Sequence, residues 1–204
     1  MEFLRYYRTP GLLTCYKSLL LTKVHAFILE FRRISAHFNL YLTVWPDKRY
    51  TRDHMDEDRL TIDPPLYLIG MMCWCWRCEA RMPVVAILAP KVAGTEGEIC
   101  VLSDITELPE ALLAYIQKRV PTFKLTYSKT VERKYFANTC PKCGMLTGDF
   151  YLHEEPGAPF CPTDEREASS LYMAELPVSG RIHARASYGM GSGDLILKNA
   201  RRIP

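Results

Sequence analysis

Trp74-Cys75-Trp76-Arg77-Cys78-Glu79 stands between two short apolar runs, residues 66–72 and 82–88, and Thr139-Cys140-Pro141-Lys142-Cys143-Gly144 stands between residues 131–136 and 145–153. Short runs rich in Val, Ile and aromatic residues, bounded by turn residues, read as strands. Each Cys-x-x-Cys therefore turns the corner of a hairpin. Two residues between thiolates let the turn's amides point at the first sulfur while both sulfurs converge on one ion. Two such knuckles complete the tetrahedral four-sulfur shell that zinc accepts at ~2.3 Å, which nominates Cys75, Cys78, Cys140 and Cys143 as ligands of one structural zinc ion. Gly144 supplies the positive φ that such a turn commonly needs, and Pro141 stiffens its start. The first knuckle has Glu79 where the second has glycine, and Cys73 lies two residues before Cys75, so a ligand set using Cys73 in place of Cys75 stays open.

Each knuckle on its predicted hairpin resembles half of a zinc ribbon. The passage 135–153, Tyr-Phe-Ala-Asn-Thr-Cys-Pro-Lys-Cys-Gly followed by Gly148-Asp-Phe-Tyr-Leu-His153, is also similar to uncharacterised bacterial proteins with paired Cys-x-x-Cys motifs. The resemblance spans residues 64–160 and implies structure without an attached reaction. Sixty-one residues separate Cys78 from Cys140, against roughly 15–20 in a compact ribbon. The expected fold is thus α+β: antiparallel β hairpins forming a split zinc ribbon with an inserted strand-and-helix unit, plus an N-terminal amphipathic helix.

The inserted unit starts with a strand over 99–102. A helix follows, with Pro109 in its first turn, Leu112, Leu113, Ile116 and Val120 as its buried stripe, Lys118 and Arg119 at its C-terminal dipole, and Pro121 as its stop. Residues 123–127 and 131–136 read as strands leading into the second knuckle, and residues 145–153 as the strand leading out. Asp164 and Glu167 can form a capping box for a second short helix before Leu171 and Tyr172. The tail offers a strand over 181–186, a Gly-rich turn and a last short stretch at 194–197. Gly189-x-Gly191-x-Gly193 lacks the dinucleotide-binding spacing and reads as that turn.

Composition supports the metal reading of the cysteines. With 204 residues, 48% of them apolar and 24% charged, the chain has the usage of an ordinary globular domain and needs no disulfide staples. Eight Cys then read as four ligands, a possible alternate in Cys73, and free thiols at Cys15, Cys100 and Cys161, which places the protein in a reducing, cytoplasmic compartment. Charge is uneven. Residues 1–54 hold nine Lys/Arg against four acids, a net of +5, while the other 150 hold 17 against 19, a net of −2. The larger part thus lacks the basic surplus of a phosphate-gripping surface, and nucleic-acid binding is unsupported by charge.

Residues 1–54 read as a basic amphipathic extension to a zinc-ribbon-like α+β domain over 55–204. Leu12, Tyr16, Leu19, Leu20, Val24, Phe27, Ile28 and Phe31 recur at helical spacing. Lys17, Lys23 and Glu30 interrupt the segment too often for a transmembrane span, and no secretory cleavage pattern follows. Three readings stand for it: a helix packed on the core, an interfacial membrane or partner-binding helix over 12–31, and a non-native upstream start, since Met55 opens Met-Asp-Glu-Asp-Arg where composition shifts.

Two enzymatic readings compete with a binding module. Trp74-Cys75-Trp76-Arg77-Cys78 has the Trp-Cys-x-x-Cys form of thioredoxin-like thiol–disulfide oxidoreductases, but there the motif opens a helix, and here Pro83, Val84, Val85 and Ile87 follow too soon. His153 with Asp149, Glu154 and Glu155 suggests a metal-assisted hydrolase, against the plainer reading of Asp149, Tyr151 and His153 as the solvent face of a strand. Cys161 with His153 is a substitute ligand pair. Trp74 and Trp76 either shield the sulfurs or stack a ligand. The favoured reading is a non-enzymatic zinc protein that recognises a protein partner, or nucleic acid, through the ribbon face and its aromatics.

Overall fold

The computed structural model describes residues 59–204. The expected helix over 12–31 and the extension 1–54 lie outside the described residues. The chain runs through β1 (Arg59–Ile62), β2 (Tyr67–Trp74), β3 (Arg81–Ala89), β4 (Cys100–Glu107), α1 (Glu110–Arg119), β5 (Phe123–Ser128), β6 (Arg133–Thr139) and β7 (Leu146–Thr147). It continues through α2 (Phe150–His153), α3 (Glu165–Ala168), β8 (Tyr172–Glu175), β9 (Ile182–Gly189), α4 (Gly193–Asn199) and β10 (Arg201–Arg202). The class is α+β. Seven strands form one sheet in the order β1-β9-β4-β3-β2-β8-β10, antiparallel except where β10 runs parallel to β8, and β5-β6-β7 form a second, antiparallel sheet.

Why residues 82–88 form an unbroken apolar run is clear from β3. Met82, Val84, Ala86 and Leu88 point to one face, with Tyr67 and Ile69 of β2 and Met173 of β8. Val85, Ile87 and Ala89 point to the other, with Leu68, Leu102 and Ile105. A strand buried on both faces must be apolar at every position. Each fully buried Val, Leu or Ile contributes roughly 1.5–3 kcal/mol relative to exposure, so this strand anchors both halves of the core.

On the second of these faces lies α1. Its Leu112 and Ile116 are buried, Leu113 and Val120 pack at the edge of the same cluster, and the Val120 N–H closes on the Ile116 carbonyl just before Pro121. Of the expected capping box at α3 one half forms: Asp164 accepts from the Glu167 N–H at 2.7 Å. The Glu167 carboxylate, however, accepts from the Thr163 N–H and hydroxyl at 2.8 and 2.9 Å instead of returning to the cap residue. Gly191, at φ +101°, turns the chain between β9 and α4, and a Cβ at Gly193 would overlap the Ile99 carbonyl.

One expected strand is corrected. Residues 145–153 do not lead out as a strand: β7 is only Leu146–Thr147, and α2 follows. In one helical turn Leu152 and His153 fall inward with Asp149, while Phe150 and Tyr151 point outward. Burying Leu152 against Phe160 therefore favours the helical period over the period of two. Asp149 and His153 are consequently not a solvent face. Between the knuckles' own strands β3 and β6 lie β4, α1 and β5, at the places expected of the inserted strand, helix and the strand leading to the second knuckle.

Candidate metal centre

The first knuckle joins β2 to β3 in the seven-stranded sheet, and the second joins β6 to β7 in the three-stranded one. Their backbones match bond for bond. The Glu79 N–H donates to the Cys75 carbonyl at 2.9 Å as the Gly144 N–H does to Cys140, and the Cys75 N–H donates to Ala80 at 2.8 Å as the Cys140 N–H does to Met145. Gly144 takes the expected left-handed φ of +71°, and Glu79 takes +56° at the equivalent place without being glycine. That conformation costs an L-residue roughly 1–2 kcal/mol, so the missing glycine altered the energy of the first turn and not its shape.

These turns bring together Cys75, Cys78, Cys140 and Cys143, whose sulfurs all lie within 4.8 Å of one another. The short approaches run between knuckles: Cys75 to Cys143 at 3.7 Å and Cys78 to Cys140 at 3.6 Å. A tetrahedral shell with sulfur ~2.3 Å from its centre requires sulfur–sulfur distances of ~3.8 Å. The cluster is therefore of a size to hold a metal ion. Amides of the Cys-x-x-Cys turns point at the first sulfur of each pair. The backbone N–H groups of Cys78 and Arg77 lower the Cys75 thiol, and those of Cys143 and Lys142 lower Cys140 to about 6. Cys78 receives the Ala80 amide, but burial and the three neighbouring sulfurs outweigh it and push its thiol up to about 12.

Cys73 does not join the cluster. It lies on β2 opposite Met82 and lines a neighbouring cavity. Cys161 and His153 are likewise outside it.

Two contacts tie the two sheets together beside the sulfurs. The side chain of Asn138, buried two residues before Cys140, accepts from the Val85 N–H at 2.8 Å and donates to the Val85 carbonyl at 3.0 Å. β4 pairs with β3 only over Ile87–Ala89, so this edge of β3 is open at Val85, and one side-chain amide stands in for the absent strand. Trp76, in the first knuckle, donates its indole N–H to the Leu146 carbonyl of β7 at 3.0 Å.

The chain matches no family model, no curated protein and no solved structure. The chain after Cys78 enters β3, not a helix, so the first pair lacks the helix N-terminus of a thioredoxin-like centre. His153 packs its ring on Phe160 with centroids 5.0 Å apart, and among the described residues no carboxylate pairs with it. Burial lowers it to about 4.

Beside the four-cysteine cluster opens a cavity of about 910 Å3, with Trp74, Trp76, Phe150 and Tyr151 at its walls and Tyr135 and Asp149 deeper in. The two tryptophans are 70% and 66% exposed. Both line this cavity. A register shift in β4 between Ser103 and Glu107 puts Asp104 at φ +48° and aims its N–H at Asp149 Oδ2, 2.7 Å away. The Asp104 carboxylate pairs with Arg133 at 2.9 Å. Burial pushes the Asp149 carboxyl up to about 7, against the pull of the Asp104 amide. The sequence reading passed over Asn138, Asp104 and Tyr135. Only Asn138 carried a signal, as an amide inside an otherwise strand-like Tyr-Phe-Ala-Asn-Thr run.

The sign of Asp149's effect on stability follows from linkage. Its folded value lies above the ~3.9 of an unfolded aspartate, so its contribution is complete below about pH 4 and is lost as pH rises through about 7. His153 runs oppositely: its contribution is present above about 6.5 and is lost as pH falls through about 4. The two slopes offset each other in the wild type. Asp149→Asn keeps the acceptor for Asp104 and removes one slope. The variant is expected to melt several degrees higher at pH 8, nearly unchanged at pH 4, with Tm now climbing between pH 4 and 6.5. An equal shift at both pH values in thermal melts would contradict this account of Asp149.

Proposed function

We propose that Cys75, Cys78, Cys140 and Cys143 hold one zinc ion in a closed, split zinc ribbon, and that the protein is a non-enzymatic, cytoplasmic binding module whose two sheets this ion clamps. The observation that carries the reading is the convergence of four sulfurs from two bond-for-bond equivalent turns on different sheets, at spacings of 3.6 and 3.7 Å across the knuckles. Four protein sulfurs leave no position for an activated water, which argues against hydrolysis at this ion. Thiolate ligands suit zinc and iron above harder metals. The resemblance to bacterial proteins with paired Cys-x-x-Cys motifs is part of the same proposal. The test is elemental analysis with X-ray absorption on the purified protein. One zinc per chain with four sulfurs at ~2.3 Å is expected; iron, a substoichiometric metal, or a shell containing nitrogen or oxygen would overturn the assignment.

A further inference from the structure

The cavity beside the clamp is lined by aromatic side chains together with Ser103, Ser128, Thr130 and Thr147, and its charges are of one sign. Its charged lining residues are Asp104, Asp149 and Glu154, and no Lys, Arg or His lines it. Arg133 already neutralises Asp104. Asp149 gives Oδ2 to the Asp104 amide, and among the described residues no hydrogen bond or ion pair takes its other oxygen. Four aromatic side chains, Trp74, Trp76, Phe150 and Tyr151, each more than half exposed, line the same cavity as this carboxyl. Leaving so much aromatic surface open is costly unless something covers it.

We propose that this cavity binds a substituted ammonium cation, with Asp149 as its counter-ion and the rings of Trp76, Phe150 and Tyr151 as its walls. Aromatic faces attract cations through the ring quadrupole, and an alkylated ammonium presents its charge behind apolar methyl groups that aromatic walls desolvate cheaply. Arg81, 5.9 Å from the Trp74 ring centroid, already engages that ring as a cation, so Trp76, Phe150 and Tyr151 are the walls left free for the ligand. A phosphate-bearing ligand meets only acids here, so nucleic acid is disfavoured by the same lining. Burial that penalises the ionised Asp149 is relieved once a cation sits beside it. The volume exceeds what one ammonium group needs, which leaves room for the chain that carries it. The inference rests on the binding-module reading and supplies the chemistry of its ligand.

The test is calorimetric titration of the full-length protein, with zinc content measured on the same sample. The probes are choline, its neutral isostere 3,3-dimethylbutanol, and a short peptide carrying one trimethylated lysine. Choline or the peptide is expected to bind at least about tenfold tighter than the alcohol and to weaken about tenfold in Asp149→Asn and in Phe150→Ala, each checked for folding by thermal melt. Tighter binding of the peptide places the cation on a protein partner; tighter binding of choline places it on a free small molecule. Equal binding of the alcohol, no binding of either cation, or unchanged affinity in both folded variants would overturn the proposal. A zinc-free protein that binds choline would sink the clamp and keep the cavity. A zinc-loaded protein that binds neither cation would sink the cavity alone.

Discussion

Cys143→Ser is expected to lose the proposed zinc ion and, with it, the metal's share in attaching the β6–β7 hairpin to the large sheet. In sites of this kind metal binding and folding are one process, so the cost is on the order of 5 kcal/mol, comparable to the whole net stability of many domains. A fall of about 10 °C or more in Tm should accompany loss of stoichiometric zinc. Cys143 is the exposed member of the four, so serine there creates no buried cavity, and the effect reports the ligand and not packing. Cys73→Ser is the matched control. That sulfur lies outside the cluster, and its replacement should leave zinc content unchanged. Full zinc stoichiometry with an unaltered melt in Cys143→Ser would remove the four-cysteine assignment.

Asn138→Ala is expected to be nearly as damaging for a reason independent of metal. The substitution removes both hydrogen bonds to Val85 and leaves a buried backbone N–H and C=O without partners. An unsatisfied buried group costs roughly 1–3 kcal/mol, so the pair amounts to about 2–6 kcal/mol. Asn138→Asp should do no better: one oxygen can still accept from the Val85 amide, but the other then faces the Val85 carbonyl. Denaturant midpoints measured on zinc-loaded protein separate this effect from loss of the ion. A change below about 0.5 kcal/mol in Asn138→Ala would mean that Val85 finds another partner.

Both sites show what the sequence made legible. The knuckles were readable because spacing, Gly144 and the flanking apolar runs are local, and a turn is decided by neighbours in sequence. α1 was readable for the same reason, with its proline boundaries, charged last turn and 3.6-residue stripe all lying within a dozen residues. Asn138 could not be placed because its role depends on where β4 stops pairing with β3, some fifty residues away. Residues 149–153 misled because alternation and one turn of helix share the same letters over so short a span. The choice there was made by Phe160, which waits for Leu152 on the far side of a loop. The cavity was invisible for a further reason. Trp74 and Trp76 come from one hairpin, Phe150 and Tyr151 from the segment after another, and Asp104 from a bulge in a third element.

The placement of the two knuckles on different sheets also sets an order of events during synthesis. Cys78 and Cys140 are 62 residues apart, and at ribosomal speeds of about 5–20 residues per second the first pair emerges roughly 3–12 s before the second. For that interval the β2–β3 hairpin carries two thiols with half a coordination shell. The edge of β3 at Val85 meanwhile waits for Asn138, which arrives in the same burst of chain as Cys140. Clamp and edge cover thus reach the nascent protein together, and a chain stalled before residue 138 has neither.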